Sequence, residues 1–197
     1  MWYKNFGKRI LDLVIAIILL TILIIPICIV GIIIKLTSKG PVLFCQERYG
    51  IHSRPFKLYK FRTMTYNAPQ RSNSEFSDIK RYITTFGMFL RKTSIDELPQ
   101  LWNIIKGDMS FIGPRPLAIN DMTVLNIRKN NGGDTVLPGI SGLAQVHGRN
   151  NITDEDKAFY DGKYANTLSF RLDTLVVLKT ILIVFKREGV FKDSQID

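Results

Sequence analysis

Hydrophobic and polar positions divide the chain into one very apolar segment and a longer stretch of mixed character. Residues 13–34, LVIAIILLTILIIPICIVGIII, contain no charged side chain. As a helix they would extend roughly 33 Å, about the thickness of a bilayer core. Apolar side chains cover every face, so a helix buried in the protein's own core fits poorly. A cleavable signal peptide also fits poorly, because the run is long and no small-x-small site follows it. Membrane insertion is therefore expected. Lys4, Lys8 and Arg9 flank one end and Lys35 and Lys39 the other, which draws both ends toward the cytoplasm. Pro26 removes one helical hydrogen bond and crowds the preceding turn. Together these features favour a re-entrant helical hairpin within residues 1–39 over the alternative, a kinked crossing.

Beyond residue 39 the pattern shortens. VLFCQERYG and PFKLYKFRTM read as two strands joined around residues 50–54, a β-hairpin. On the second strand, Lys60 and Arg62 either blunt an edge or hold a phosphate. Residues 65–78 are polar and read as a mobile loop. A helix is expected over residues 79–92 and another over 116–130, ending at Asn131-Gly132-Gly133. The glycine-rich residues 136–150 read as loop with a short strand, and 154–166 as a polar helix. From Ser169, a suitable N-cap, Phe170, Val177, Leu178, Ile181, Val184 and Phe185 share one helical arc, with Arg171, Lys179, Lys186 and Arg187 elsewhere. Such a helix lies in a membrane interface or packs on the domain's own core. The fold class expected is α+β, mostly helical.

Charge sharpens this picture. Lys and Arg number 27 against 17 Asp and Glu, a net charge of +10, and residues 1–62 hold 10 of the bases and only 2 of the acids. A basic surplus around an apolar segment suits anionic membrane lipids better than a nucleic acid. The two cysteines, Cys28 in the apolar run and Cys45 in the first strand, do not make a disulfide framework and fit a reducing compartment. His52 and His147 stand alone, so a zinc site is not expected. No GxxxxGK or GxGxxG loop occurs.

Residues 94–116, SIDELPQLWNIIKGDMSFIGPRP, concentrate the chemistry. Asp96 and Glu97 stand side by side before a short apolar helix, with Arg91 upstream and Arg115 fixed between two prolines downstream. Two readings of the acids are open. Ser94-x-x-Glu97 is a capping-box pattern, and placing the cap at Asp96 would accommodate Pro99 in the first turn. Alternatively the acids are a reactive centre. Arginine forks and a helix N-terminus attract phosphate, which the acids would repel unless a hard divalent cation bridged the two. One carboxylate could then attack phosphorus. A glycosidase needs carboxylates on opposite sides of a sugar, which adjacent residues do not supply. A non-enzymatic, membrane-anchored scaffold binding anionic lipid is the competing class, in which the acids serve folding alone.

KRILDLVIA, KFRTM, RKTSIDELPQLWNIIKGDMSFIGPRP, LPGISGLAQVHGRN and LKTILIVFKREGV together resemble, over nearly the whole chain, the bacterial sugar transferases, specifically the short monotopic polyprenol-phosphate phosphoglycosyl transferases. The resemblance implies an enzyme at the cytoplasmic face of the bacterial inner membrane, with residues 1–39 as re-entrant anchor and 40–197 as catalytic domain. It implies transfer of a sugar 1-phosphate, N-acetylated by similarity to the short members, from a UDP-sugar to undecaprenyl phosphate by a covalent ping-pong route, initiating glycoconjugate assembly. Asp96 would be the nucleophile and Glu97 the Mg²⁺ ligand. Lys60, Arg91 and Arg115 match phosphate-handling positions, and Arg62, Arg149 and Asp161 are further polar candidates. Three positions depart from the family's pattern: Ile25 where serine precedes the helix-breaking proline, Leu137 for an arginine, and His147 for an asparagine that bears on donor recognition.

Overall fold

The computed structural model describes residues 2–68, 79–148 and 152–186. The apolar run forms helix α1, Lys8–Thr37, preceded by a wider helical turn at Tyr3–Gly7. Pro26 lies inside α1 and the helix is continuous through it, so the segment is not two helices joined by a turn. The rest of the chain buries only 6% of its most apolar 18-residue window. A helix left this bare in water would expose far more apolar surface than a soluble domain tolerates, which makes the protein membrane-associated.

Strands β1 (Leu43–Tyr49) and β2 (Pro55–Phe61) form the expected antiparallel hairpin, with Leu43 opposite Phe61 and Tyr49 opposite Pro55. Helix α2 (Thr85–Thr93) follows, then α3 (Gln100–Lys106), β3 (Ser110–Ile112), β4 (Leu117–Ala118), α4 (Met122–Asn131), β5 (Gly139–Ser141), α5 (Asp154–Thr167) and α6 (Phe170–Lys186). Expected as one helix, residues 79–92 divide into a 3₁₀ turn at Ile79–Tyr82 and α2, whose cap Thr84 accepts a hydrogen bond from Gly87 N at 2.9 Å. The helix expected over 116–130 begins only at Met122, because Leu117 and Ala118 pair with β1 instead. Gly132, at φ +79°, stops it where the sequence indicates. Ser169 Oγ accepts from Leu172 N at 3.3 Å, as a cap should.

Small apolar clusters dock these elements on α1. Ala16 packs with Leu101, Ile104 and Met109, while Ile34 packs with Phe61 and Leu90. Polar contacts reinforce both ends. Arg9 donates to the Ile104 and Ile105 carbonyls at 2.6 and 3.1 Å, Lys8 pairs with Asp173 at 2.7 Å, and Arg62 donates to Ser38 O at 2.9 Å. Both ends of the membrane helix thus contact the folded domain, the N-terminal part mainly through α3 and α6 and the C-terminal part through β2 and α2.

Helix α6 buries Asp173 and Val176 against the core. Its expected apolar arc points the other way: Phe170, Val177, Leu178 and Ile181 are exposed, as are Leu175 and Leu182. Both cysteines are free and exposed.

Candidate active site

The acids lie in a reversal of the chain. Helix α2 ends at Ser94, whose φ of +57° turns the backbone out of the helix. A single 3₁₀ turn, Ile95–Glu97, carries Asp96 and Glu97 before Leu98 and Pro99 lead into α3. Neither acid caps α3. Pro99 occupies the cap position without a side-chain hydrogen bond, where its missing N–H removes nothing from the helix. The capping-box expectation is therefore replaced by a turn that presents both carboxylates to one side.

That side is a pocket of about 640 Å³, lined by Asp96, Glu97, Lys60, Arg62, Arg91 and Arg115 among others. The volume lies within the range of small-molecule sites. Each cation arrives on a different element. Lys60 projects from β2 and meets Glu97 at 2.8 Å. Arg91, one turn from the end of α2, donates from Nε to Thr63 Oγ1 at 2.9 Å. Arg115 precedes β4 in the Gly113-Pro114-Arg115-Pro116 loop, whose carbonyls are held: Pro114 O accepts from Gly139 N at 2.9 Å and Arg115 O from Arg128 Nη1 at 3.0 Å.

The remaining sequence candidates fall elsewhere. Asp161 is buried beneath α4 and α5, bound through Oδ2 to Arg128 Nε at 2.8 Å and Nη2 at 2.5 Å, and does not line the pocket. It supports the Arg115 loop through Arg128 rather than facing the cavity. His147 also turns away: its ring stacks on Tyr160 at 4.6 Å and Nδ1 meets Leu143 O at 2.7 Å. Leu137 does not line the pocket, and its carbonyl packs close against Gly113. Arg149, and residues 69–78 of the expected loop, lie outside the described residues.

Arg48 and Gln145 line the pocket without having been singled out from sequence. Alternation along β1, which puts Gln46 and Arg48 on one face, was the available signal for Arg48. Gln145 follows a glycine-rich turn and carried none.

Burial sets the electrostatics. It pushes the Asp96 carboxyl from its ordinary 3.8 up to about 6; Lys60 and Arg91 pull it down and neighbouring Glu97 pushes it further up. Burial likewise lowers the Arg91 guanidinium, with Asp96 opposing. A buried acid that resists ionisation beside several cations is a recurrent mark of a functional site. Among the described residues no group of three or more metal-ligating side chains converges. Asp96 and Glu97 thus do not form a complete cage. They fit a Mg²⁺ ion of the kind held by one or two carboxylates together with substrate phosphates.

An apolar anchor beside a deep pocket of paired acids and cations defines a class, a membrane-associated enzyme acting on anionic groups. Within that class the chain belongs to the bacterial sugar transferase family, whose model matches residues 3–187. It is 40% identical to an uncharacterized sugar transferase, EpsL, of Bacillus subtilis over 96% of this chain and 92% of that one. It is also 40% identical to a UDP-N-acetylgalactosamine-undecaprenyl-phosphate N-acetylgalactosaminephosphotransferase of Aeromonas hydrophila, over 93% of this chain and 45% of that protein. A UDP-glucose:undecaprenyl-phosphate glucose-1-phosphate transferase of Klebsiella pneumoniae is 39% identical, with 93% and 41% covered. The chain spans nearly all of the first relative and less than half the length of the other two.

Proposed function

We propose that this protein transfers a sugar 1-phosphate from a UDP-sugar to undecaprenyl phosphate, releasing UMP and giving the undecaprenyl-diphospho-sugar. What carries this reading is the pocket in which Asp96 and Glu97 face Lys60, Arg91 and Arg115; the reactions named for the Aeromonas and Klebsiella relatives agree with it. In the first half-reaction an Asp96 oxygen attacks the sugar-linked phosphorus. The bond from that phosphorus to the bridging oxygen breaks, and UMP leaves with the electron pair. In the second, an oxygen of undecaprenyl phosphate attacks the same phosphorus and the Asp96–phosphorus bond breaks, restoring the carboxylate. Lys60, Arg91 and Arg115 offset the phosphate charge. Mg²⁺ bound at Glu97 would neutralise diphosphate oxygens and act as a Lewis acid.

The anchor is proposed to be re-entrant. Contacts of both ends of α1 with the folded domain support this, since a domain kept on one side of the bilayer would keep both ends there, and the basic flanks favour the cytoplasmic side. The outward apolar arc of α6 would then lie in the interface. Cysteines placed at Lys4 and at Lys39 should both escape a membrane-impermeant thiol reagent added outside intact spheroplasts. Labelling of one alone would establish a crossing.

The reaction is tested with protein in nanodiscs, Mg²⁺, undecaprenyl phosphate and a panel of UDP-sugars, with N-acetylated hexoses expected to be the best donors. UMP should appear with one donor, and without acceptor its amount should stop at one equivalent of enzyme. Glu97→Gln should lower the rate and its Mg²⁺ dependence together. Turnover requiring both substrates at once, with no acceptor-free burst, would rule out the covalent route.

A further inference from the structure

The cations of the pocket are not equally compensated. Lys60 is paired with Glu97 at 2.8 Å, and Arg91 lies within the field of Asp96. Among the described residues no salt bridge reaches Arg48 or Arg115. The fold brings these two together. Strand β1 lies between β2 and β4, and Arg48 stands opposite Ala118, three residues after Arg115. Arg48 is fixed from one side only. Nη2 donates to Gln46 Oε1 at 2.6 Å, while Nε is buried without a hydrogen-bond partner. Burial pushes the Arg48 guanidinium down to about 10, and the positive charge of Arg115 adds to that, with Asp121 opposing. Arg115 is held from behind by the grip of Arg128 on its carbonyl. Arg48 is half withdrawn from water and Arg115 stands exposed beside it, and two neighbouring like charges without a salt bridge call for a ligand bearing about two negative charges.

On the reaction proposed above, two such ligands use the pocket in turn, and both are phosphate monoesters. UMP leaves in the first half-reaction and the lipid phosphate attacks in the second. In-line displacement at one phosphorus puts the departing oxygen and the later attacking oxygen in the same place, so one subsite can serve both. We propose that Arg48, acting with Arg115, forms this exchange subsite, holding the phosphate of UMP as it leaves and then that of the polyprenyl acceptor. Arg48 is thus a substrate-binding residue shared by both half-reactions. The inference rests on the phosphoglycosyl transfer reading.

The test uses full-length protein in nanodiscs, wild type against Arg48→Gln and Arg48→Lys. Three quantities are read: UMP affinity by calorimetry, the rate at which UMP forms without acceptor, and the rate at which preformed intermediate is consumed by undecaprenyl phosphate. Arg48→Gln should weaken UMP binding roughly tenfold to a hundredfold and slow acceptor-dependent consumption by a similar factor, because a charge-assisted fork is lost from both ligands. Arg48→Lys, which keeps the charge and the strand packing, should fall between the two and serves if the glutamine variant does not fold. Unchanged UMP affinity overturns the proposal. Weakened UMP binding with an unaffected acceptor step also overturns it, because the subsite would not be shared. UMP binding requires no donor, so it reads the subsite even if no UDP-sugar in the panel is turned over, an outcome that would instead refute the reaction.

Discussion

Replacing Asp96 by asparagine separates a reactive centre from a structural acid by the sign of its effect on stability. In the folded protein the Asp96 carboxyl titrates at about 6, against an ordinary 3.8. At 1.36 kcal/mol for each pH unit, ionising it in the fold is disfavoured by about 3 kcal/mol relative to the unfolded chain at neutral pH. Asp96 keeps some contact with water, so ~3 kcal/mol is a ceiling. The sign is fixed by the direction of the shift. A raised acid favours the fold while protonated, below about 4, and that advantage is lost as pH rises through about 6. Asp96→Asn should therefore be more stable than wild type at pH 7.5, with the gap closing between pH 6 and pH 4. For a chain of this length 1 kcal/mol moves Tm by ~2–4 °C, so a gain of several degrees is expected without Mg²⁺ or substrate. Thermal unfolding in nanodiscs at several pH values measures it, and UMP release from the same preparations should be absent. A helix cap or a folding acid would behave in the opposite way, its loss lowering stability by ~0.5–2 kcal/mol. A variant that is less stable, or that still turns over, would refute the assignment.

On the proposed route the ionised form of Asp96 attacks, so kcat/KM for the donor should rise with pH and level off above about 6; an acid limb near 4 would mean that burial does not act on this carboxyl. Asp161→Asn leaves the buried Arg128 guanidinium without its charge partner, which should lower stability by roughly 3–5 kcal/mol and raise KM for the donor through the slackened Arg115 loop; a Tm unchanged from wild type would remove the pair from any supporting role. A methyl at Gly113 would run into Leu137 O and approach Gly139 N at 3.0 Å, so Gly113→Ala should displace the loop bearing Arg115 and lower both Tm and UMP release, measured side by side.

Features coded by adjacent residues were legible in the sequence. The uncharged run gave α1, the alternation around residues 50–54 gave the hairpin, Gly132 marked the end of α4, and Ser169 marked the start of α6. Lys60, Arg62, Arg91, Asp96, Glu97 and Arg115 do line one pocket. What was not legible depends on partners far apart in the chain. Three-residue strands such as β3 and β5 carry almost no periodicity, and their parallel pairing of Ser110 with Gly139 is long-range. The pairing of β4 with β1 shortened a helix that spacing alone would have extended, an instance of tertiary contacts overriding local preference. Asp161 was a site candidate only through the resemblance to the family. Its partner Arg128 lies 33 positions earlier. Ser94 read as a cap because serine usually is one, whereas here its left-handed backbone produces the turn that presents the acids.

The placement of the pocket joins the membrane part of the protein to its chemistry. Arg62, which lines the pocket, also donates to Ser38 O at the end of α1, so the last turn of the membrane helix and the cation wall share a hydrogen bond. Near that end the pocket is lined by Pro41, Leu43 and Phe44, and across it by Ile183 and Val184 of α6. Leu43 and Phe44 are exposed, as is the outward face of α6. An apolar rim leading to a cationic interior matches the two ends of a polyprenyl phosphate, a hydrocarbon that remains in the bilayer and a phosphate that must leave it. A water-soluble acceptor would gain nothing from such a rim. On the proposed reaction, holding α1 by both ends would keep the rim at the depth where the lipid phosphate lies. The anchor would in this sense be part of the acceptor site. Cutting the contacts that seat it, for instance with Lys8→Met, which removes the ion pair to Asp173, should therefore raise KM for undecaprenyl phosphate more than KM for the UDP-sugar, and equal changes in the two would argue that α1 serves only to tether the domain.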